Sequence, residues 1–247
     1  MYKVHVIFYS DAPYIQTEKG VLVKILGQEI FLLILDVDGV LTDFYHIIQL
    51  VKDVGKDFRL PVGHIMSYFK KVRKGKYPLH VRFKDDVKEM WPHLNKGEIS
   101  DLVSALREKE RKYIYKAYDG VNEFLFWLRE KGVVLAICTR NNHKALSRKL
   151  TQAGIDKKLF SVTSVPGRYA KPDPRCVHAI LEATGMKKEY AVFVGDWFPD
   201  FNAARHAGVT FIGTTCGVLS RKAFLDAGVP KRCIVKTLPD LRKLVTE

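Results

Sequence analysis

Apolar residues along this chain gather in short runs. Ile30-Phe-Leu-Leu-Ile-Leu35, Val133-Val-Leu-Ala-Ile-Cys138, Tyr190-Ala-Val-Phe-Val194 and Val209-Thr-Phe-Ile212 each span four to six residues with no charge among them. Runs of this length without polar alternation predict strands of a parallel sheet covered on both faces. Between and beside them lie stretches of helical period, predicting helices at about 120–131, 142–153, 175–184 and 200–207. In the first of these Phe124, Leu125 and Leu128 form an apolar stripe, and Gly132 stands where a C-cap is expected. The alternation from residue 117 onward predicts an α/β fold with a doubly wound parallel sheet, to which the run at 30–35 adds a strand from earlier in the chain.

From about residue 48 to 116 the pattern changes. Tyr68, Phe69 and Val72, then Leu102, Val103 and Leu106, recur at helical spacing among many charges, with Pro61, Pro78 and Pro92 as punctuation. This predicts a small, mainly helical inserted domain. Residues 1–29 predict a β-hairpin, with Tyr2 to Tyr9 and Val21 to Leu26 as strands around Asp11-Ala-Pro13, serving as an extra sheet edge or an oligomer contact. The expected division is therefore an N-terminal hairpin extension at 1–30, an α/β core at 31–47 and 117–247, and a helical insertion at 48–116.

Composition narrows the class. At 47% hydrophobic and 28% charged the 247 residues are neither disordered nor fibrous. The longest apolar run falls far short of the ~20 residues of a membrane-spanning helix, so no membrane partner is expected. The N-terminus lacks the charged, apolar and small-residue order of a secretory leader, so the expected location is the cytoplasm. Cys138, Cys176, Cys216 and Cys233 are widely spaced, with no zinc-ligand pairing, and read as buried thiols. The 41 Lys plus Arg against 27 Asp plus Glu leave a net charge of +14, which admits nucleic acid, an anionic membrane surface or a small anionic substrate.

Candidate chemistry lies at the strand ends. Asp36 and Asp38 close the first apolar run in Asp36-Val-Asp-Gly-Val-Leu-Thr-Asp43; two apart on a strand, they point to one side, and Gly39 lets the chain turn after them. Two carboxylates so close repel, and a hard cation with oxygen ligands relieves that cost, which suggests magnesium. An EF-hand calcium loop lacks its remaining acidic positions here. Asp196 and Asp200, four apart in Gly195-Asp-Trp-Phe-Pro-Asp200, face one direction if a helix begins there. Thr139 precedes a helix opened by Arg140-Asn-Asn142, where a hydroxyl beside free N–H groups suits phosphate. In Ala170-Lys-Pro-Asp-Pro174, Asp173 can cap a helix that Pro174 starts, leaving Lys171 fixed before it. Taken singly each is ordinary: a turn residue, an N-cap, loop punctuation. Together they sit where one site of an open α/β sheet collects its residues.

In that order, Asp36-x-Asp38-Gly-Val-Leu-Thr-Asp43, Thr139, Lys171-Pro-x-Pro174 and Gly195-Asp196-x-x-x-Asp200 resemble the four motifs of the haloacid dehalogenase-like hydrolases over roughly residues 31 to 235. The resemblance implies a Rossmann-like core and, for residues 48–116, a helical cap of the kind found in the phosphoglycolate phosphatase and β-phosphoglucomutase branch. It implies Asp36 as the nucleophile that forms an aspartyl-phosphate, and Asp38 as general acid and then base. It gives Thr139 and Arg140 to the phosphoryl oxygens, and Lys171 to Asp36 and the transferring group. Magnesium falls to Asp36, the backbone carbonyl of Asp38, and Asp196, with Asp200 in support. The implied partner is a small phosphorylated substrate, bound by a monomer or homodimer. The extension at 1–30 departs from the family pattern.

Asp38 decides between branches. A dehalogenase has no leaving oxygen to protonate, so a carboxylate here favours phosphoryl chemistry over dehalogenation. A phosphosugar mutase on the same core is the alternative. A nucleic-acid-binding protein is the reading from a different class. It rests on Lys70-Lys-Val-Arg-Lys-Gly-Lys76, flanked by Tyr68, Phe69 and Tyr77, and is set aside for want of a nucleic-acid motif. A catalytically silent scaffold is disfavoured by the intact motifs. Arg59, His64, Arg82 and Lys84 are candidate substrate contacts in the insertion. Residues 48–116 carry 17 Lys plus Arg against 9 Asp plus Glu, a net +8 of the +14, so the charge excess is concentrated in the expected lid.

Overall fold

The computed structural model of the chain describes residues 5–8, 23–76, 83–165 and 169–246. Its centre is a seven-stranded sheet of β1 (His5–Phe8), β6 (Phe160–Val165), β5 (Val134–Cys138), β4 (Leu32–Leu35), β7 (Ala191–Gly195), β8 (Thr210–Thr214) and β9 (Ile234–Val235), in that spatial order. The six strands from β6 to β9 are parallel and β1 joins antiparallel at the edge. β4 occupies the middle, with Leu35 opposite Ile137 on one side and Val194 on the other. All four of its residues are fully buried, which is why it reads as an unbroken apolar run.

Helices cover the sheet: α5 (Val121–Glu130), α6 (His143–Gln152), α7 (Arg175–Thr184), α8 (Phe198–Ala207) and the short α9 (Arg221–Asp226). The strands and helices predicted for the α/β core from residue 30 onward are found within about two residues of their expected bounds. Two strands of this sheet escaped the sequence pattern. β6 reads Phe-Ser-Val-Thr-Ser-Val, and its polar Thr163 and Ser164 are nonetheless buried, because a parallel strand is covered on both faces. β9 is two residues long, too short for any periodicity.

Among the described residues the two predicted hairpin strands do not pair with each other. β1 pairs with β6, His5 opposite Val165, whereas β2 (Lys24–Ile25) pairs with β3 (Gln28–Glu29) and with β10 (Val245–Thr246) in a separate small sheet. A tight turn takes the place of the long hairpin: Leu26 and Gly27 both have positive φ, the geometry of a two-residue β-turn. Tyr2 and Asp11-Ala-Pro13 lie outside the described residues.

The chain leaves the core after β4 and returns before α5 through a narrow stem. Outgoing Leu41–Asp43 and returning Lys116–Tyr118 run side by side, with Tyr118 N–H donating to the Leu41 carbonyl at 3.0 Å and Thr42 bridged to Ala117. Between them lie α1 (His46–Asp57), α2 (Ile65–Arg73), α3 (Phe83–Met90) and α4 (Lys96–Lys112), which pack on one another. The expected apolar faces, Tyr68, Phe69 and Val72 on α2 and Leu102, Val103 and Leu106 on α4, are buried. α4 begins in a reciprocal capping box, with Asn95 accepting from Glu98 N–H and Glu98 accepting from Asn95 N–H. Trp91 is the insertion's largest fully buried side chain, and its indole N–H donates to the Pro61 carbonyl at 2.9 Å.

Truncating that side chain leaves a large cavity and an unpaired carbonyl. Trp91→Ala is expected to cost about 3–5 kcal/mol, read as a fall in melting temperature by circular dichroism.

Candidate active site

Three adjacent parallel strands deliver their carboxyl ends to one place. β4 is followed by Asp36 and Asp38, β5 by Thr139, and β7, ending at Gly195, by Asp196. Asp36 N–H still belongs to the ladder, donating to the Val194 carbonyl at 3.0 Å, so the first carboxylate leaves the sheet from a fixed backbone. The chain then turns sharply. Gly39 has φ +80°, and a Cβ there would meet Asp196 Oδ2 at 2.1 Å. Gly39 and Gly217 form the cradle of the Asp196 carboxylate, since a Cβ on Gly217 would also fall 2.0 Å from Asp196 Oδ2.

Asp36, Asp196 and Asp200 bring carboxylate oxygens within 4.8 Å of one another. Lys171, 2% exposed, reaches between two of them, with Nζ 2.8 Å from Asp36 Oδ1 and 2.6 Å from Asp200 Oδ1. The second oxygen of Asp200 accepts from the Asp196 and Trp197 N–H groups at 3.2 and 3.1 Å. Asp196 Oδ2 accepts from Val218 N–H at 2.7 Å. Asp196 and Asp200 do not share a helix, because α8 starts at Phe198. They converge because Asp200 folds back onto the turn that carries Asp196. Asp173 accepts from Arg175 N–H at 3.0 Å, and α7 starts at Arg175, as its predicted range has it, with Pro174 rather than Asp173 as its N-cap.

The electrostatics are strained in one direction. Burial drives the Asp196 carboxyl well above the ordinary carboxylate range, with Asp200 and Asp36 adding to the rise. Burial also pushes Asp36 up, to about 7, against the pull of Lys171. Three carboxylates share one ammonium, and the outstanding charge is of the kind a hard divalent cation with oxygen ligands offsets. The donor set therefore fits magnesium.

Asp38 is placed otherwise. Its carboxylate is not part of this acidic cluster but is gripped by Lys149, whose Nζ lies 2.8 Å from both oxygens, and by Asn141 Nδ2 at 2.8 Å. Burial alone would raise it, but Lys149 and Asn141 outweigh burial and hold it below the ordinary range. Thr139 is buried, and its hydroxyl accepts from Asn141 N–H and Nδ2 at 3.1 and 2.9 Å. Arg140 stacks on Trp197, its guanidinium 5.1 Å from the ring centre.

These residues floor a cavity of about 330 Å³, roofed by Phe44, His46 and Ile47 from the start of the insertion and by Val103, Leu106, Arg107 and Glu110 of α4. Every predicted site residue except Asp200 lines it, and Asp200 sits behind Lys171. Of the candidate contacts in the insertion, Arg59 and His64 do not line it, Lys84 lines a neighbouring groove between α3 and α4, and Arg82 lies outside the described residues. Residues that sequence reasoning missed are Asn141, Lys149, Glu110 and His46. Lys149 had a signal that could have been used. It stands on the predicted helix 142–153, two turns after its start, and shares a face with apolar Leu146 and Leu150, an odd place for a solvated lysine. Glu110 and His46 had none, because only the fold brings them over the strand ends.

Comparison with known proteins agrees with this architecture. The chain is 31% identical over 131 residues to a phosphoglycolate phosphatase of Pseudomonas putida, covering 52% of this chain and 46% of that protein. It is 25% identical over 225 residues to one of Pseudomonas savastanoi, covering 87% and 78%. In the first comparison the chain spans about half the length of the curated relative it matches. A solved structure of a predicted phosphoglycolate phosphatase from Haemophilus somnus superposes with a TM-score of 0.71 at 22% identity, over 87% of this chain and 97% of that one, a likeness of fold. The haloacid dehalogenase-like hydrolase model matches residues 33–214, which take in the strand ends carrying Asp36, Asp38, Thr139, Lys171, Asp196 and Asp200; the chain belongs to that family.

Proposed function

We propose that this protein is a magnesium-dependent phosphatase that hydrolyses a small phosphate monoester through an aspartyl-phosphate on Asp36. The observation that carries the reading is the placement of Asp36. Its carboxylate is 14% exposed at the cavity floor, backed by Lys171, with Arg140 and Thr139 across the same floor. An anion entering the cavity meets cations and a hydroxyl, with the Asp36 carboxylate at the floor oriented by the buried Lys171 ammonium. The names of the matched relatives, phosphoglycolate phosphatases, and a cavity of about 330 Å³ support a small ester.

In the reaction a carboxylate oxygen of Asp36 attacks phosphorus and the bond to the ester oxygen breaks. Asp38 gives its proton to the departing oxygen. It then takes a proton from the water that attacks the aspartyl-phosphate, which restores Asp36 and releases phosphate. Lys171 holds Asp36 in line and balances charge on the transferring group, a role that its burial and its 2.8 Å contact with Asp36 support. A divalent cation would be held by Asp36, Asp196 and the Asp38 backbone carbonyl, with Asp200 in support, and would offset charge on the phosphoryl oxygens. Asp38 is ionised and committed to Lys149 in the substrate-free arrangement, so before it acts as an acid it must let go of Lys149 and take up a proton from solvent, which the attacking water later returns to it. Glu110 of α4 lies 3.6 Å from the same Lys149 ammonium, a second carboxylate ready to take over that partner.

Three outcomes test the reading. Magnesium-dependent release of p-nitrophenol from p-nitrophenyl phosphate is expected, abolished by EDTA and in Asp36→Asn; full activity in that variant, or activity untouched by EDTA, would sink the mechanism. Screening phosphoglycolate, sugar phosphates and nucleotides would then locate the substrate.

For Asp38→Asn, kcat is expected to fall by about 10²-fold or more, while magnesium affinity measured by calorimetry changes little. A defect confined to metal affinity contradicts the acid–base role.

The raised Asp36 carboxyl gives a pH dependence in the metal-free protein. An Asp at its ordinary 3.8 in the unfolded chain and about 7 when folded contributes stability that is complete below pH 3.8 and is lost as pH rises through 7. Asp36→Asn escapes that loss. In EDTA its melting temperature should exceed wild type by roughly 5 °C at pH 8, with the gap closing towards pH 4.

A further inference from the structure

The last turn of α2 is fastened to the core at a place that the reaction steps above do not use. Arg73 Nη1 donates to the Gly217 carbonyl at 2.9 Å and Nη2 to the Thr215 carbonyl at 3.0 Å. The Arg73 carbonyl in turn accepts from Ser220 N–H at 2.9 Å. The intervening carbonyl, that of Cys216, accepts from the Tyr118 hydroxyl at 3.1 Å, and Tyr118 lies on the returning limb of the stem. On the outgoing side the Tyr45 hydroxyl accepts from Arg73 Nη1 at 2.5 Å, and the guanidinium lies 5.7 Å from the Tyr45 ring centre. Three successive loop carbonyls are thus held by side chains of the inserted helices and their stem.

The same loop is the wall on which Asp196 rests. Val218 N–H holds Asp196 Oδ2 at 2.7 Å and Leu219 N–H holds the Asp196 carbonyl at 3.1 Å. Gly217 approaches the carboxylate so closely that a single added carbon would overlap Oδ2. With contact this tight, a shift of the loop by a few tenths of an ångström is a shift of the carboxylate. Gly75, just past α2, adds a second point of attachment, since a Cβ there would meet the Phe198 ring at 2.9 Å, and Phe198 is the first residue of α8.

We infer that Arg73 is a positioning residue for the cation site: through its fork on the Thr215 and Gly217 carbonyls, α2 sets where Asp196 presents its carboxylate. The inference rests on the proposed role of Asp196 as a cation ligand. It makes the inserted segment a structural part of the metal site as well as the roof over it. Partners one step removed from a ligand commonly change metal affinity by 10-fold or more when lost.

Two substitutions separate position from charge. Arg73→Met removes fork and charge together, whereas Arg73→Lys keeps the charge but cannot span two carbonyls with one compact ammonium. Magnesium binding to the full-length, EDTA-stripped protein is read by titration calorimetry without substrate, well below each variant's melting temperature. Both variants are expected to bind about 10-fold more weakly than wild type. If Arg73→Lys binds like wild type while Arg73→Met binds more tightly, Arg73 acts only as a repelling charge and the inference is overturned. Unchanged affinity in both variants overturns it too and leaves the phosphatase reading standing. A wild-type protein that binds no magnesium removes both together, and shows it before any variant is compared.

Discussion

Three carboxylates around one buried ammonium are the constraint on which the rest of the structure depends. Asp36, Asp196 and Asp200 repel one another in a place where water cannot screen them, and Lys171 neutralises only one charge. Much of the local architecture serves to keep them there. The turn after β7 gives two N–H groups to Asp200, and the 215–219 loop gives two more to the side chain and carbonyl of Asp196. A site held in this way is costly as it stands and becomes favourable when a cation and a phosphoryl group arrive with compensating charge.

The parallel sheet makes such a cluster possible. Within β4, β5 and β7 the backbone groups are committed to ladder hydrogen bonds, so the residues just past the strand ends are the first whose side chains need not be apolar. Strand order places β5 and β7 on opposite sides of β4, and loops leaving the two sides open a crevice between them. Asp36 and Thr139 stand on its floor for this reason. The insertion, joined by one antiparallel stem, closes the crevice from above.

What could be read from the sequence follows from the same physics. Buried strands dominated by apolar residues announced themselves, and so did motif residues tied to strand ends. β6 did not, because Thr163 and Ser164 made an interior strand look like a loop. The N-terminal segment misled because two β-prone stretches near each other in sequence suggest a hairpin, whereas β1 found a better partner in the open edge of β6. Lys149 stayed hidden for a related reason. A lysine on a helix is ordinarily solvated; its place beside Leu146 and Leu150 marks it as unusual, but its partner emerges with the tertiary placement of Asp38 beside α6. Contacts that cross from the insertion to the core, such as Arg73 to Thr215 or Glu110 to Lys149, leave no local periodicity to detect.

The basic excess takes a different meaning once its charges are placed. In the run Lys70 to Lys76 the aromatic neighbours Tyr68 and Phe69 are buried, so they offer no stacking platform, and Arg73 is spent on core carbonyls. Elsewhere in the insertion Lys109 pairs with Asp57 at 2.9 Å and Lys112 with Glu108 at 3.3 Å, which reduces their reach. Screening at physiological salt confines a charge's influence to about 8 Å. A net of +8 over 69 residues therefore does not act as one field. The cations that matter to an arriving anion are those at the cavity itself: Arg107 in the roof, and Arg140, Lys149 and Lys171 in the floor. Of these, Lys149 and Lys171 are already paired with Asp38, Asp36 and Asp200. Arg107 and Arg140 add planar forks, which suit a phosphate better than a point charge does.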